Sequence, residues 1–348
     1  MPAPRVTMSD IARRAGVSKN TVSLALRHDP QIGAKTRARL QRLAVKMGYQ
    51  KNPTVAHLMA QLRSSRSPSF QASLAMINAN LDPQAFTKHP TVPVYVRGCR
   101  RRAQELGYSL DEFWLHDKSL DASRLERILR TRGIRGILVV GLMRENRLPP
   151  RFQPIWEQFP TVVTGVRPRN PALSFSCSDQ HALALHAFEH AVRLGYRRPA
   201  LVLDHVIDEL VEGRFTSGIH IGQKALPEEQ RTRPFYLVTE ARSDPGLFRA
   251  WFEAEKPDCI LTLYNVVRHW LGEMQMRIPE DVGLIQLEWR EDHPDVAGMN
   301  QHNDIVGEAA VEMLINMIHH HAPGLPTFPR ATFIGSTWVN GATIRERI

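Results

Sequence analysis

The sequence predicts a small all-α head followed by a larger α/β body of two lobes. Three observations lead to this fold class. The first 70 residues hold thirteen Lys and Arg against two Asp and Glu, whereas the rest of the chain is close to neutral. Two short helical patterns flank Gly16, and after Ser73 short apolar runs alternate with amphipathic segments. A chain of 348 residues is also long enough for two or three domains.

Composition excludes several classes of protein. Hydrophobic residues make up 43% and charged residues 23% of the chain, which is typical of a globular protein. No apolar run approaches the roughly 18 residues that a membrane helix needs. The first residues contain no apolar segment of the secretory kind, and the three cysteines are too far apart for a CxxC metal site. We therefore expect a cytoplasmic protein without a membrane span.

The basic head predicts three short helices. Ile11, Ala12 and Ala15 recur at helical spacing, and Gly16 ends this first helix. Ser18 suits the N-cap of a second helix over 19–27, and a third fits 35–47. Two short helices joined by a glycine turn are typical of a helix-turn-helix, whose second helix enters the major groove of DNA. A plain three-helix bundle is the alternative, and the concentrated positive charge favours DNA binding.

The head closely resembles that of LacI/GalR-family transcription regulators. The resemblance rests on the segments 6–12, 15–18, 21–23, 35–37 and 43–49. It implies that Lys19, Asn20 and Leu24 occupy the base-reading positions. Many family members have Arg where Leu24 stands, and Leu24 can contact a thymine methyl but cannot donate to guanine. DNA-backbone contacts are expected from Thr7, Ser18, Thr21, Arg27, Lys35 and Arg39.

A short helix is predicted after the head. Asn52 is a good N-cap and Pro53 suits the first helical position, but about ten residues are too few for a helix that is stable alone. The resemblance implies a hinge helix that pairs with its dimer mate in the minor groove, with Leu58 wedged between base pairs beside Asn52 and Ala56. A plain interdomain linker is the alternative. The expected domains are a helix-turn-helix domain at 5–50, a hinge and linker at 51–69, and a ligand-binding and dimerisation domain at 70–348.

The body predicts parallel sheets covered by helices on both faces. Strands are expected at 74–77, 136–140, 162–166, 200–203, 259–263 and 282–287. Helices are expected at 94–106, 182–194, 248–255, 266–276 and 305–319. About 280 residues exceed one compact unit, which favours two lobes. Ligands of such sheets bind at the carboxyl ends of the strands.

Segments 194–198, 278–285 and 307–314 resemble the ligand-binding core of the same family, which has the type-I periplasmic-binding-protein fold. The resemblance implies effector contacts from Arg214, Asn265, Glu288 and Gln301. This chain departs from the family pattern at Ser217, Val266 and Leu287. Amide, guanidinium and carboxylate groups suit a polyhydroxylated ligand, so a sugar or related metabolite is expected. A purely structural role is the alternative for each of the four residues.

Other groups of residues give weaker evidence of a functional site. His186 and His190 stand four residues apart, a zinc-ligand spacing, but no further ligand is evident, so a solvated helix face is preferred. The acidic residues between 204 and 212 are interpreted as a loop beside the cleft, and the cysteines as small buried hydrophobes. No catalytic residue, metal ligand or cofactor is expected.

Taken together, the sequence predicts a homodimeric regulator, expected to be a repressor, that binds a palindromic operator and responds to a small effector between the lobes. The alternatives are a solute-binding protein of a transporter, or a cytoplasmic ligand-binding protein or enzyme in which the head is an accessory module. The basic head and the lack of catalytic motifs argue against them.

Overall fold

The computed structural model describes residues 8–26, 32–47, 70–322 and 324–347. The head and most of the body belong to separate compact units. In the head the helices are α1 (Met8–Ala15), α2 (Lys19–Leu26) and α3 (Ala34–Lys46), as the sequence predicts. Their shared core contains Ile11, Val22, Ala25, Leu40 and Ala44, all buried.

Local sequence explains how the head helices begin and meet. Gly16 has φ +67°, a left-handed conformation that glycine adopts without strain. Ser18 is the expected cap, since its Oγ accepts the backbone N–H of Thr21 at 3.0 Å. From α3, Arg39 donates to the carbonyl of Ala15 at 3.2 Å, and Gln41 donates to the carbonyl of Ala25 at 3.0 Å. Thus α3 closes the C-terminal ends of both α1 and α2.

The body contains two sheets, which confirms the two-lobed α/β prediction. The first lobe has a sheet of β1 (Ala72–Asn78), β2 (Tyr108–Trp114), β3 (Ile134–Val140), β4 (Thr161–Thr164), β5 (Ser174–Ser178) and β10 (Ala331–Ile334). These six strands are all parallel, in the order β10-β5-β4-β3-β1-β2.

The second lobe has a sheet of β6 (Pro199–Val202), β7 (Cys259–Thr262), β8 (Gly283–Gln286), β9 (Ala297–Asn300) and β11 (Thr337–Val339). The order is β11-β9-β8-β7-β6, and only the edge strand β11 runs antiparallel. The carboxyl ends of β7, β8 and β9 therefore lie side by side.

Helices and short turns of 3₁₀ helix connect the strands. The α-helices are α4 (Ala85–Lys88), α5 (Val92–Glu105), α6 (Ala122–Thr131), α7 (Gln153–Gln158), α8 (Gln180–Arg193), α9 (His205–Leu210), α10 (Arg214–Gln223), α11 (Val238–Ala241), α12 (Gly246–Glu255), α13 (Val266–Glu273) and α14 (Asn303–His319). The 3₁₀ turns are Pro150–Phe152 and Glu228–Gln230.

Three crossings of the chain join the lobes, after β5, after β9 and after β10. Two of them are hydrogen-bonded together, because Ser178 Oγ lies 3.2 Å from the carbonyl of Gln301 and 3.2 Å from Oδ1 of Asn303. In the first lobe, α5 packs very closely on the start of α14. A Cβ added at Gly98 would lie 1.9 Å from the carbonyl oxygen of Asp304, so only glycine fits there.

The structure bears out the expected strands and helices of the body, and all three cysteines are buried as expected. Burial raises the pKa of Cys177 to about 12. No helix in the described part of the chain is long and apolar enough to cross a membrane. The hinge at 51–69 lies outside the described residues, so it and the domain boundaries stay predictions.

Candidate functional site

Helix α2, which is expected to read the DNA bases, has one buried side and one exposed side. Val22 and Ala25 are buried in the head core, whereas Lys19 is exposed and Leu24 is partly exposed. Asn20 lies on the same helix, directly after Lys19. The helix therefore leaves Lys19 and Leu24 outside the core, where a duplex can be reached.

Some of the side chains that are expected to contact the DNA backbone already form hydrogen bonds within the protein, and others do not. Ser18 Oγ and Thr21 Oγ1 lie 2.8 Å apart at the start of α2, and the N-terminal end of a helix favours a phosphate. Lys35 is exposed in the first turn of α3, whereas Arg39 already donates to the carbonyl of Ala15. Further expected DNA contacts, Thr7, Arg27, Asn52, Ala56 and Leu58, lie outside the described residues.

The expected effector residues surround the cleft side of the second lobe. Asn265 follows β7, Glu288 follows β8 and Gln301 follows β9, so adjacent parallel strands deliver all three to one edge of the sheet. Arg214 is the first residue of α10, directly after Gly213 at φ +71°. The topology thus supplies the convergence that the sequence could only suggest.

Glu288 forms a bridge between the two lobes. Its Oε2 accepts from Thr91 Oγ1 at 3.1 Å and from Arg290 Nη2 at 2.9 Å, and its Oε1 accepts from Asn303 Nδ2 at 3.0 Å. Thr91 caps α5 and Asn303 begins α14, both in the first lobe. The carboxylate is 11% exposed. Glu288 therefore holds a first-lobe contact as well as a place in the predicted effector site.

No sequence pattern indicates the hydrogen-bond partners of Glu288. Near them, His89 Nδ1 accepts the backbone N–H groups of Thr91 and Val92 at 3.1 and 3.3 Å. Burial lowers the pKa of His89, while the Glu288 charge opposes that shift. Burial together with the Glu288 charge raises the pKa of Tyr95. Only the fold could reveal these neighbours, because Thr91 and Glu288 are 197 positions apart.

Two of the other three expected effector residues also bond within the protein. Asn265 Oδ1 accepts from Gln286 Nε2 at 2.8 Å, and Gln301 Nε2 donates to the carbonyl of Leu287 at 2.8 Å. Arg214 is different, since its guanidinium lies 4.6 Å from the ring centroid of Phe333 and makes no hydrogen bond with described residues. Arg214 therefore keeps its N–H donors for another group.

A polar cavity of about 470 Å³ opens beside the start of α10, between the lobes. Arg144 and Asn146 line it from the first lobe, and Asp208, Glu212 and Gly213 from the second. Glu212 is paired with Arg169 at 2.8 Å. A cavity of this size lies within the range of small-molecule sites.

The acidic residues of this region have structural partners. Asp204 Oδ1 accepts the N–H of Val206, and its Oδ2 accepts the hydroxyl of Thr239 at 2.6 Å. Asp208 Oδ2 accepts the hydroxyl of Thr216 at 2.6 Å. The predicted loop is wrong, because Asp204 caps helix α9 (His205–Leu210) and Asp208 lies within it. His190, set aside as a zinc ligand, stacks on the ring of Trp338 with centroids 3.8 Å apart.

Comparison with known proteins agrees with this arrangement. Residues 7–52 match the family model "Bacterial regulatory proteins, lacI family". The head is of the lacI-family type. This confirms the resemblance stated for the helix-turn-helix segment.

Two curated relatives extend the match into the body. The chain is 22% identical over 197 residues to the HTH-type transcriptional regulator MalR of Streptococcus pneumoniae, covering 57% of this chain and 56% of MalR. It is 27% identical over 205 residues to the HTH-type transcriptional regulator reg1 of Streptomyces lividans, covering 56% of this chain and 53% of reg1. The alignments thus span a little over half the length of each relative.

Solved structures of lacI-type regulators share the fold along nearly the whole chain. The complex of the transcriptional regulator CelR with cellobiose has a TM-score of 0.59 at 18% identity, covering 97% of this chain and all of CelR. The Lac repressor dimer bound to operator and the anti-inducer ONPF has a TM-score of 0.56 at 16% identity, covering 98% of this chain and 99% of the repressor. The expected fold class is therefore confirmed.

Proposed function

We propose that this protein is a sequence-specific DNA-binding transcription regulator, and specifically a repressor, whose affinity for its operator is set by a small molecule in the interlobe cleft. The observation that carries the proposal is the lacI-family head at residues 7–52 joined to a two-lobed core. A DNA-reading module on a ligand-binding fold is the architecture of a ligand-controlled switch.

The head binds DNA through α2, with Lys19, Asn20 and Leu24 at the base edges and Ser18, Thr21 and Lys35 at phosphates. Two chains act as a homodimer on a near-palindromic operator, because a two-fold protein prefers a two-fold site. The Lac repressor dimer bound to operator supports this assembly. The protein acts in the cytoplasm, where the DNA is.

The effector lies near Arg214 and the adjoining cavity and is a sugar or a related polyhydroxylated metabolite. The cellobiose complex of CelR supports this ligand class. The guanidinium of Arg214, which makes no hydrogen bond with the residues that the structure describes, supplies several donors for hydroxyl or anionic oxygens. Asn265, Glu288 and Gln301 already bond within the protein, so the effector binds beside them or exchanges with their partners.

Effector binding acts on DNA through lobe closure. The carboxylate of Glu288 bonds Thr91 and Asn303 across the cleft, so closing and opening make and break defined contacts. An effector shifts this equilibrium only by its different affinity for the two states. The short hinge helix predicted within 51–69 is the element that responds, since its roughly ten residues are too few to be stable without a partner.

Selection of bound fragments from a random DNA pool at near-physiological salt tests the proposal. We expect a palindromic motif, and Leu58→Ala should weaken its binding at least tenfold, whereas Gln61→Ala on the same segment should not. Failure to enrich any motif, with or without metabolite pools, would refute the regulator.

The rival function is an enzyme or ligand-binding protein with an accessory head. The relatives reported above are all transcription regulators, which favours the regulator. Turnover of a candidate metabolite by the purified chain would favour the rival.

A further inference from the structure

Helix α3 carries its positive charge on one side. It contains five basic residues and no acidic residue, namely Lys35, Arg37, Arg39, Arg42 and Lys46. Arg37 is half-buried and donates to the carbonyl of Ile32 at 2.8 Å. The other four recur at spacings of four, three and four residues, which places them within about 60° of one another around the helix axis. We call these four residues the α3 cation stripe; it is about 16 Å long at the helical rise.

Three members of the stripe line a pocket. Arg39, Arg42 and Lys46 face Arg14 of α1 across a cavity of about 420 Å³, with Ala15 and Leu43 completing the wall. All four cationic side chains are exposed. The one acidic residue within 8–26 and 32–47 is Asp10, which pairs with Arg13 at 3.6 Å. The described head therefore offers this pocket no neutralising carboxylate.

Helix stability does not account for the pocket. Arg39 stabilises the C-terminal end of α1 through the carbonyl of Ala15. Among the described residues, Arg42 donates to the carbonyl of Ala38 of its own helix, at 3.3 Å. Like charges three or four residues apart destabilise a helix by about 0.2–0.5 kcal/mol per pair. On the other exposed side α3 is uncharged, and Val45 there is 81% exposed.

The pocket does not belong to the surface that α2 presents. Gln41 reaches Ala25 of α2, whereas Arg39 reaches Ala15 of α1. Residues two apart project about 200° from each other around a helix, so the two contacts lie on opposite flanks of α3. The stripe runs along the α1 flank, and no residue of α2 lines the pocket.

We propose that the pocket of Arg14, Arg39, Arg42 and Lys46 binds the phosphodiester backbone of a second DNA segment, other than the one read by α2. The proposal rests on the proposed function and adds a second contact to it. A duplex presents a charge about every 1.7 Å of its axis, so the three α3 cations of the pocket, which span about 10 Å of the helix, meet several phosphates. Such a contact lets one duplex approach while another is still bound, and so assists transfer between DNA segments.

The first test measures binding of the full chain to a random-sequence duplex of 20 base pairs over a series of salt concentrations. The variant is Arg42→Gln with Lys46→Gln, and the matched control is Lys118→Gln with Arg127→Gln, two exposed cations of the body. Losing two phosphate contacts should reduce the slope of log affinity against log salt by about 1.8. Affinity at low salt should fall about tenfold or more, and the control should stay within about twofold.

The second test measures dissociation of the selected operator as unlabelled random duplex is added. Wild type should release operator faster as the competitor concentration rises, and the pocket variant should lose most of that dependence while its operator Kd changes less than about threefold. Equal competitor dependence in both proteins, or an equal loss in the body control, would overturn the proposal. So would a fall in operator affinity as large as the fall for random duplex, since the pocket would then serve the operator. If no operator exists, the proposed function fails, and the random-duplex measurement still decides the pocket.

Discussion

The bridge that Glu288 makes between the lobes gives a sharp prediction about closure. Of its three hydrogen-bond donors, Thr91 and Asn303 belong to the first lobe, while Arg290 belongs to its own lobe. Thr91→Val keeps the shape of the side chain and removes one interlobe donor. Glu288→Gln keeps the size and removes the charge. Both changes should shift the equilibrium between closed and open lobes towards the open state.

The expected change in the ratio of closed to open protein follows from the strength of the interlobe hydrogen bonds. A hydrogen bond to a charged group contributes about 1.5–3 kcal/mol, and the 11% exposure of the carboxylate leaves it poorly screened by water. Thr91→Val should therefore lower the closed-to-open ratio by about tenfold to a hundredfold, at about 1.4 kcal/mol per factor of ten. Glu288→Gln keeps one acceptor for Asn303 and should lose at least as much. The two changes should not be additive in the double variant, because they remove the same bond.

Closure is measured as a distance distribution between labels on Lys118→Cys in the first lobe and Lys224→Cys in the second. Both positions are exposed, whereas the three native cysteines are buried and react slowly. Glu112→Gln is the control, since it removes an ion pair with Arg100 that lies within the first lobe. Distance distributions that are unchanged in both cleft variants, or additive effects in the double variant, would refute the bridge.

Three further predictions follow from other contacts. Lys35→Gln should weaken binding to all DNA sequences alike and reduce the salt slope by about 0.9; a loss confined to one operator would contradict a phosphate role. Gly98→Ala should destabilise the body by about 2 kcal/mol or more in urea unfolding, because its Cβ would overlap a backbone carbonyl, whereas Gly272→Ala meets nothing within 4 Å and should be neutral or stabilising. Burial holds the pKa of His89 below 6.5, so its neutral form stabilises the fold above pH 6.5 and that stabilisation is lost as pH falls below 6.5. His89→Gln should remove this part of the pH dependence of the free energy of unfolding. Parallel curves of unfolding free energy against pH for the wild type and the variant would contradict this.

Periodicity predicted β1, β3, β4, β6, β7 and β8, because these strands are short apolar runs. It missed β5 (Ser174–Ser178), whose residues are mostly serine although all are buried, and β2 (Tyr108–Trp114), an edge strand with a mixed pattern. Helix α10 (Arg214–Gln223) was missed because its glycines and Ser217 obscure the helical pattern. These elements are formed by tertiary packing that local sequence does not encode.

Ser217, where this chain departs from the family pattern, shows how well that pattern predicts the contacts of the cleft. The family places a glycine there, and here Ser217 lies 2.8 Å from Nδ1 of His181 and donates to the carbonyl of Arg214 at 3.0 Å. The close approach of α10 to α8 is made one residue later, since a Cβ at Gly218 would lie 2.4 Å from the carbonyl of His181. The helix pair therefore keeps its close contact through a different residue, and a hydroxyl now bonds the carbonyl of the very arginine expected to contact the effector. A single sequence could identify Arg214 as a candidate effector-binding residue. Which of its hydrogen-bond donors remain available for an effector depends on the packing of two helices, which the sequence alone does not show.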